Sequence, residues 1–503
     1  MKLPDRFFAT LIGRSDELLR NVRFGAAMAV TAALAGCASF SSDGGMSIAG
    51  GVAARELKKD TVAIRTPEDA TSAHDRVEHL LKWPLTADAA VQIALLNNRG
   101  LQAAYNELGI AEAAMVQASL PPNPSFSFSR ISGPLEYDIE AAIAADILAL
   151  ATLPARSEIA ADRFHEAQLR AAEETLRVAA ETRRNYYRAI AAQELTGFLM
   201  QDNAAAEAAA KVAGQLGETG AMNKLDQARD QVFYAEVTAQ LAAARQQAAS
   251  EREQLIRSLG LWGSDLRFKL PNTLPALPQH LPTMTTVEQD AISRRVDLQI
   301  ARIELEALAK SYRLTNATRF VNLFQLSGLY KDEKESAPGE KVDFKDFGPG
   351  ATVEIPIFDL GEVRVRQAEQ TYMQALNRLA EKAVNARSEA RDAYRTYRST
   401  YDIASHYQRK ILPLRKIISD ETLLRYNGML IDVFTLLTAA RQRILSTAAA
   451  IEAKRDFWIA KTGLQVAITG GSGVRPMNEK SKAGAIADAS VDGQMTNKNG
   501  DRP

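Results

Sequence analysis

Residues 361–427 read GEVRVRQAEQTYMQALNRLAEKAVNARSEARDAYRTYRSTYDIASHYQRKILPLRKIISDETLLRYN. After its first residue the stretch has no glycine, and apolar side chains recur along it with a helical period. Steps of seven give Leu376, Ala383, Ala390, Tyr397, Ala404, Ile411 and Ile418. Positions three residues later begin Leu379, Ala386, Ala393 and return to apolar at Tyr407 and Leu414. This is a heptad seam, the pattern of helices packed side by side with knobs in holes. At 1.5 Å per residue one helix over the stretch would be roughly 100 Å long. Pro413 removes one ladder bond, which predicts a kink and no more, because the pattern continues past it. A helix of that length must lean on others of similar length.

The others are present. An alanine-rich helical pattern follows Pro154 and runs to about Leu216, where Gly217-Glu218-Thr219-Gly220 turns the chain. A second helix then returns from about Asn223 to Leu259. Downstream, Tyr426-Asn427-Gly428 makes the corresponding turn into a last helix over about Ile431–Thr462. A shorter helix precedes each pair, from the capping Thr86 to Leu120 and over Val287–Thr315. Between short and long helices lie segments of period two. Phe126 and Phe128 alternate with serines, and Tyr137, Ile139, Ala141, Ile143, Ala145 and Ile147 alternate with Asp138, Glu140, Ala142, Ala144 and Asp146. The second pair of strands is predicted over Arg319–Tyr330 and Ala351–Phe358, with the charged Lys331–Lys345 as an exposed loop.

The order of elements is therefore duplicated, and sparse identities support it. Leu101-Gln102 and Glu107-Leu108 correspond to Leu298-Gln299 and Glu304-Leu305 at the same spacing. The expected layout is a signal over 1–36, a tether and equatorial segment over 37–82, and a first repeat over 83–264. A proline-rich linker over 265–285, a second repeat over 286–466 and a disordered tail over 467–503 complete it. Ser41-Ser42-Asp43-Gly44-Gly45 reads as a flexible tether.

The 503 residues are balanced, 61 basic against 61 acidic, so no global charge points to nucleic acid. The single cysteine excludes an internal disulfide framework. Scattered histidines and the absence of a phosphate-loop motif argue against an enzyme, a metal centre or any bound cofactor. No run of about 20 apolar residues exists, so membrane association would need a lipid anchor or a barrel. The apolar run Phe24–Ala33 has the length of a signal core and ends in Leu34-Ala35-Gly36-Cys37. Small residues before a cysteine resemble the bacterial lipoprotein cleavage box, which makes Cys37 the acyl attachment point, carrying diacylglycerol and an N-acyl chain. If the resemblance to bacterial lipoproteins holds, Ala38 in place of aspartate implies onward transport to the outer membrane.

If the four strands cross a bilayer they cannot close a barrel by themselves, because unpaired edges in lipid cost several kcal/mol per orphaned group, so several chains must share one. The pattern alone also fits a pair of soluble hairpins in a small sheet. The lipobox, Thr86-Ala87-Asp88-Ala89-Ala90-Val91 with Asn97-Asn98, and Leu120-Pro121-Pro122-Asn123-Pro124 carry a resemblance. So do Ile355-Pro356-Ile357-Phe358-Asp359-Leu360-Gly361 and Arg425-Tyr426-Asn427-Gly428 with Leu436-Leu437 and Ala439-Ala440. Together, over roughly residues 80–465, they resemble the TolC-like outer-membrane efflux factors of the lipoprotein subgroup. Leu153-Pro154 departs from the aromatic-glycine step of many members, and the first extracellular loop is very short.

The resemblance implies a mainly α protein with membrane strands, a homotrimer forming a 12-stranded β-barrel and a 12-helix periplasmic tunnel. The implied function is a passive exit duct of a tripartite efflux system in the outer membrane. Its partners would be a periplasmic adaptor and an inner-membrane pump, for instance of the resistance-nodulation-division type. The turns with Gly217, Gly220, Tyr426, Asn427 and Gly428 would meet the adaptor, glycine supplying a positive φ. Asp420, with Glu421 as substitute, is the candidate acidic aperture at the tip, where like charges would favour cations. The competing readings are a periplasmic coiled-coil lipoprotein or adaptor scaffold without channel activity, and a duct for type I protein secretion. The sequence leaves the cargo open.

Overall fold

The computed structural model describes residues 40–133, 136–281, 285–337 and 340–471. The expected signal, Cys37 and most of the expected tail lie outside them. After a turn at residues 42–46 come α1 (Ser47–Val52), a π turn over Ala53–Leu57, and α2 (Pro67–Leu81). This corrects the expectation of a flexible tether. The Asp43 carboxylate accepts from the N–H groups of Gly45 (3.1 Å) and Ser47 (2.7 Å), and Thr66 with Asp69 forms a capping box. Short polar residues that look flexible in sequence are ordered here because their side chains satisfy backbone donors. Ala49, Val52, Leu57 and Val77 then enter the core.

The first unit consists of α3 (Ala87–Asn97), α4 (Arg99–Ser119), β1 (Ser125–Ser132), β2 (Glu136–Asp146), a short α5 (Ile147–Ala151), α6 (Leu153–Glu218) and α7 (Lys224–Leu259). The second consists of α8 (Val287–Arg294), α9 (Val296–Ala317), β3 (Leu323–Ala337), β4 (Glu340–Glu354), α10 (Glu362–His406), α11 (Leu412–Asn427) and α12 (Val433–Thr469). At 66 residues, α6 is about 100 Å long.

Three expected single helices are divided. Asn98 and Arg295 adopt extended backbone (ψ 114° and 123°) and split the shorter helices into α3/α4 and α8/α9. The 361–427 stretch is divided by a π turn over Tyr407–Ile411. That turn lies just before Pro413, in the first turn of α11, so the wider loop absorbs the missing proline N–H. The last helix runs past the expected Thr462 to Thr469.

Helix α6 is the spine. Its buried Ala171, Ala172, Ala179, Ala180, Ala189 and Ala191 let neighbours approach closely, while Leu176 and Ile190 pack with Ile93, Leu95, Leu101, Leu255 and Leu259. A second cluster joins α6, α7 and α12 through Leu199, Phe233, Val237, Leu241, Leu437 and Ile444. In a third, Phe457 stacks on Tyr397 at 5.5 Å and the Tyr401 hydroxyl donates to the carbonyl of Pro278 (2.9 Å). The tyrosines of α10 are thus packing residues. The heptad seam is buried through Ala390, Tyr397 and Ala404 but exposed at Leu376 and Ile418. Ile403, Leu414, Ile417, Leu423 and Leu424 are exposed as well, so α10 and α11 present an apolar face with no neighbour within the described residues.

Candidate channel wall and tip

The four strands form one antiparallel sheet in the order β1-β2-β3-β4, so the pairing of β2 with β3 joins the two units. Cross-strand partners share a face and successive residues alternate. One face carries the rows Phe128–Ala141–Tyr330–Phe347, Phe126–Ile143–Gly328–Pro349 and Ala145–Leu326–Ala351. The other carries Ser129–Glu140–Lys331–Asp346 and Ser127–Ala142–Leu329–Gly348, with Asp146–Gln325–Thr352 below. One face is therefore apolar and open, with Phe126 71% and Phe347 82% exposed. The other is polar. The outer edges of β1 and β4 have no strand partner among the described residues.

The expected loop at Lys331–Lys345 is corrected: the ladder continues through it, and β3 and β4 are 15 residues each against 8 and 11 for β1 and β2. At about 3.4 Å per residue β3 spans about 50 Å, more than the roughly 30 Å of a bilayer core. Charged residues predominate on both faces of this extension, with Phe344 an exposed exception, as suits strands that project into water. Lys331 Nζ lies 2.9 Å from Glu333 and 3.6 Å from Asp138. The expected strand Ala351–Phe358 is also corrected. β4 ends at Glu354, and Ile355–Leu360 turn into α10 through Gly361 at φ +73°. A Cβ there would lie 2.1 Å from the Arg319 carbonyl oxygen, so only glycine fits.

Below the sheet, each short helix stands on the end of a returning helix. Asn97 Nδ2 donates to the carbonyl of Gly260 (2.7 Å) and Asn98 Nδ2 to that of Ser258 (3.0 Å), joining α4 to the end of α7. Gly260 takes φ +70°, and a Cβ on it would meet the Asn97 carbonyl oxygen at 2.6 Å. In the second unit α9 meets the end of α12, with Gly470 at φ +90° against the Val296 N–H. The buried Arg295 lies beside that junction and ties α9 to α10, with Nη2 2.8 Å from Asp297 and Nη1 2.6 Å from Glu389. Burial works against its charge, but the bonds to the two carboxylates outweigh it and hold its pKa above the usual arginine value. The chain thus supplies four helical columns: α4 on α7, α6, α9 on α12, and α10 with α11.

At the far end the two helix turns come together. Tyr426 packs on the cluster around Phe233, and Arg229 covers the Phe434 ring at 5.2 Å. Burial raises the Tyr426 pKa, with Asp230 and Asp226 adding to it. Gly220 has φ +76°, the positive φ expected of a turn glycine. Gly428 does not: its φ is −80°, and Met429 takes the left-handed conformation at φ +59°. The Met429 and Leu430 N–H groups donate to the carbonyls of Tyr426 and Arg425, which fixes the turn without a glycine requirement. Gly217 is helical, Asn427 ends α11, and Met429 and Leu430 project almost fully exposed. Asp420 is exposed and makes no ion pair among the described residues, whereas Glu421 is tied to Arg425 at 2.9 Å.

No family model and no curated protein matches the sequence. Solved structures do match. A membrane protein from Pseudomonas aeruginosa superposes with TM-score 0.64 at 18% identity, covering 78% of this chain and 93% of that one. The CmeC outer membrane channel of Campylobacter jejuni gives 0.61 at 16%, covering 88% and 95%. The open state of the MtrE outer membrane channel of Neisseria gonorrhoeae gives 0.59 at 17%, covering 79% and 89%. The chain has the TolC-like fold.

Within the TolC-like fold, the residues that sequence reasoning missed lie at the junctions. Asn98 and Arg295 occupy equivalent places in the two units but share no residue type. The signal available for the first was Asn97-Asn98, a pair with capping chemistry in mid-helix. Arg295 gave none. No described helix is long and apolar enough to cross a membrane, and no group of three or more His, Cys, Asp or Glu among the described residues is placed to hold a metal ion.

Proposed function

We propose that the protein is an exit duct of the bacterial outer membrane, built from three copies of this chain and working passively in an efflux system. The observation that carries this is the sheet: one apolar face, one polar face and two unpaired edges. An apolar face of this kind suits lipid and a polar face suits water. The edges then require neighbouring copies, β4 of one beside β1 of the next, since unpaired backbone groups are not tolerated in hydrocarbon. Two copies would give eight strands, whose interior side chains nearly fill. Three give twelve and leave a lumen. The exposed apolar face of α10 and α11 is supported by the same ring, with twelve helical columns below the barrel.

The tip turns, with Tyr426, Asn427 and the projecting Met429 and Leu430, would meet a periplasmic adaptor, and an inner-membrane pump would supply the energy. Asp420 is the better aperture residue of the two, because Glu421 is engaged by Arg425. Cys37 would carry the lipid anchor. The chain is already fixed four residues later, where the backbone N–H of Ser41 donates to Glu112 on α4 at 2.6 Å. The mass of the mature N-terminal peptide tests this: an unmodified Cys37 thiol would rule the anchor out.

The deciding experiment is conductance of the purified protein in a planar bilayer. The duct reading expects discrete channels, with Asp420→Ala raising current and lowering cation preference. A silent film leaves a non-channel scaffold. Unchanged current and selectivity in Asp420→Ala would remove the aperture assignment alone.

A further inference from the structure

On α6, Tyr186 and Gln193 reach the surrounding layer, donating to the Leu85 carbonyl (2.9 Å) and to Asn272 (3.2 Å) respectively. Arg184 and Arg188 stand two residues either side of Tyr186. At about 100° per residue they fall on the opposite face of the helix. There α6 and the end of α7 enclose a cleft of about 620 Å³ lined by Arg177, Arg184, Arg188 and Arg257 against one carboxylate, Glu181. Glu181 is committed to Arg177, at 2.9 Å. Arg184 and Arg257 have no carboxylate partner among the described residues, and Arg188 has only a 3.4 Å contact with Asn185 Oδ1. Burial and the neighbouring Arg188 both push the Arg184 pKa down, with Glu181 opposing, so an anion is the missing counterpart. Thr182, fully buried, also lines the cleft, and its hydroxyl oxygen has no hydrogen-bond partner among the described residues.

We propose that this cleft binds small multivalent anions, phosphate-type or polycarboxylate, through Arg184, Arg188 and Arg257. Planar guanidinium groups bind such oxyanions in bidentate fashion, and three of them line one cleft with no carboxylate partner of their own among the described residues. The placement rests on the duct reading. If α6 forms part of the tunnel wall with the surrounding layer outside, the cleft opens into the lumen. Three copies then give a positive belt midway along a duct whose tip aperture is acidic. Such a belt retains anionic cargo where the tip favours cations.

Titration calorimetry of the detergent-purified protein with inorganic pyrophosphate tests the site. Saturable binding is expected, weakened about tenfold by each of Arg184→Gln and Arg257→Gln and by added salt. Arg257 is exposed, so its replacement leaves the helix pair folded. No binding, or binding unchanged in both variants, overturns the proposal. In bilayers pyrophosphate should reduce the current of the unaltered channel and not of Arg184→Gln. Binding without block overturns the lumenal placement. Binding to a protein that never conducts would sink the duct and leave the anion site standing.

Discussion

The two units follow one order of elements but fasten it with different chemistry. At the first junction neutral amides cap helix ends: Asn98 accepts from the Leu101 N–H (3.0 Å) and Asn97 closes over Gly260. At the second a buried arginine is held by two carboxylates from α9 and α10. The entrances to the long helices differ too. Gly361 is required at α10 by φ and by the Arg319 carbonyl, while α6 starts from Thr152 and Leu153 with ordinary helical dihedrals. What the fold demands at each place is a fastened helix junction, and amide caps on backbone groups serve in one unit where ion pairs between side chains serve in the other. Residue identity between repeats is therefore sparse even though their architecture matches.

The largest effect should come from Gly361→Ala. Left-handed backbone strain plus a 2.1 Å clash with a main-chain oxygen predicts a loss of about 3 kcal/mol or more, read as a lower thermal midpoint and less assembled protein. The matching change Leu153→Ala, at a half-buried position with helical backbone, should cost about 1 kcal/mol. Equal losses would break the contrast. Next, Arg295→Met strands Asp297 and the half-exposed Glu389, and should cost about 2–3 kcal/mol. Asn98→Ala removes one cap and one inter-helix bond, for about 1–2 kcal/mol. Denaturant midpoints of the two variants should fall in that order.

The smallest effect concerns Asp230 on α7, buried beside Tyr426 with no ion-pair partner among the described residues. Its pKa is raised by burial first and by Asp226 second. A carboxyl raised in the folded state stabilises when protonated, so it weakens the tip as pH rises through the ordinary carboxylate range. Asp230→Asn should then raise the melting midpoint by about a degree at pH 8 and leave it unchanged at pH 3. A gain at both values would point to packing and away from charge.

Much of this was legible in the sequence, where pattern and period coincide. The heptads of 361–427 and the alternation of Phe126 and Phe128 with serine each reflect one buried or lipid-like face and one wet face. The extension of the second hairpin was not legible, because Lys331, Asp332, Glu333 and Lys334 put charge on both faces and leave no hydrophobic period to read. The breaks at Asn98 and Arg295 were missed for a related reason. Neither residue forbids helix; the break is set by tertiary partners, the Ser258 carbonyl at the end of α7 for Asn98 and the carboxylates of Asp297 and Glu389 for Arg295. Gly428 shows the converse, a glycine whose expected left-handed role has passed to Met429.

Among the described residues, one chain leaves the outer edges of β1 and β4 open and cannot close them itself. Native mass spectrometry of the protein extracted gently from outer membranes addresses this most directly. A particle of three chains is expected, and introduced cysteines on β1 and β4 should cross-link it into a closed trimer. A stable single chain, with both sheet edges open in detergent, would contradict the account.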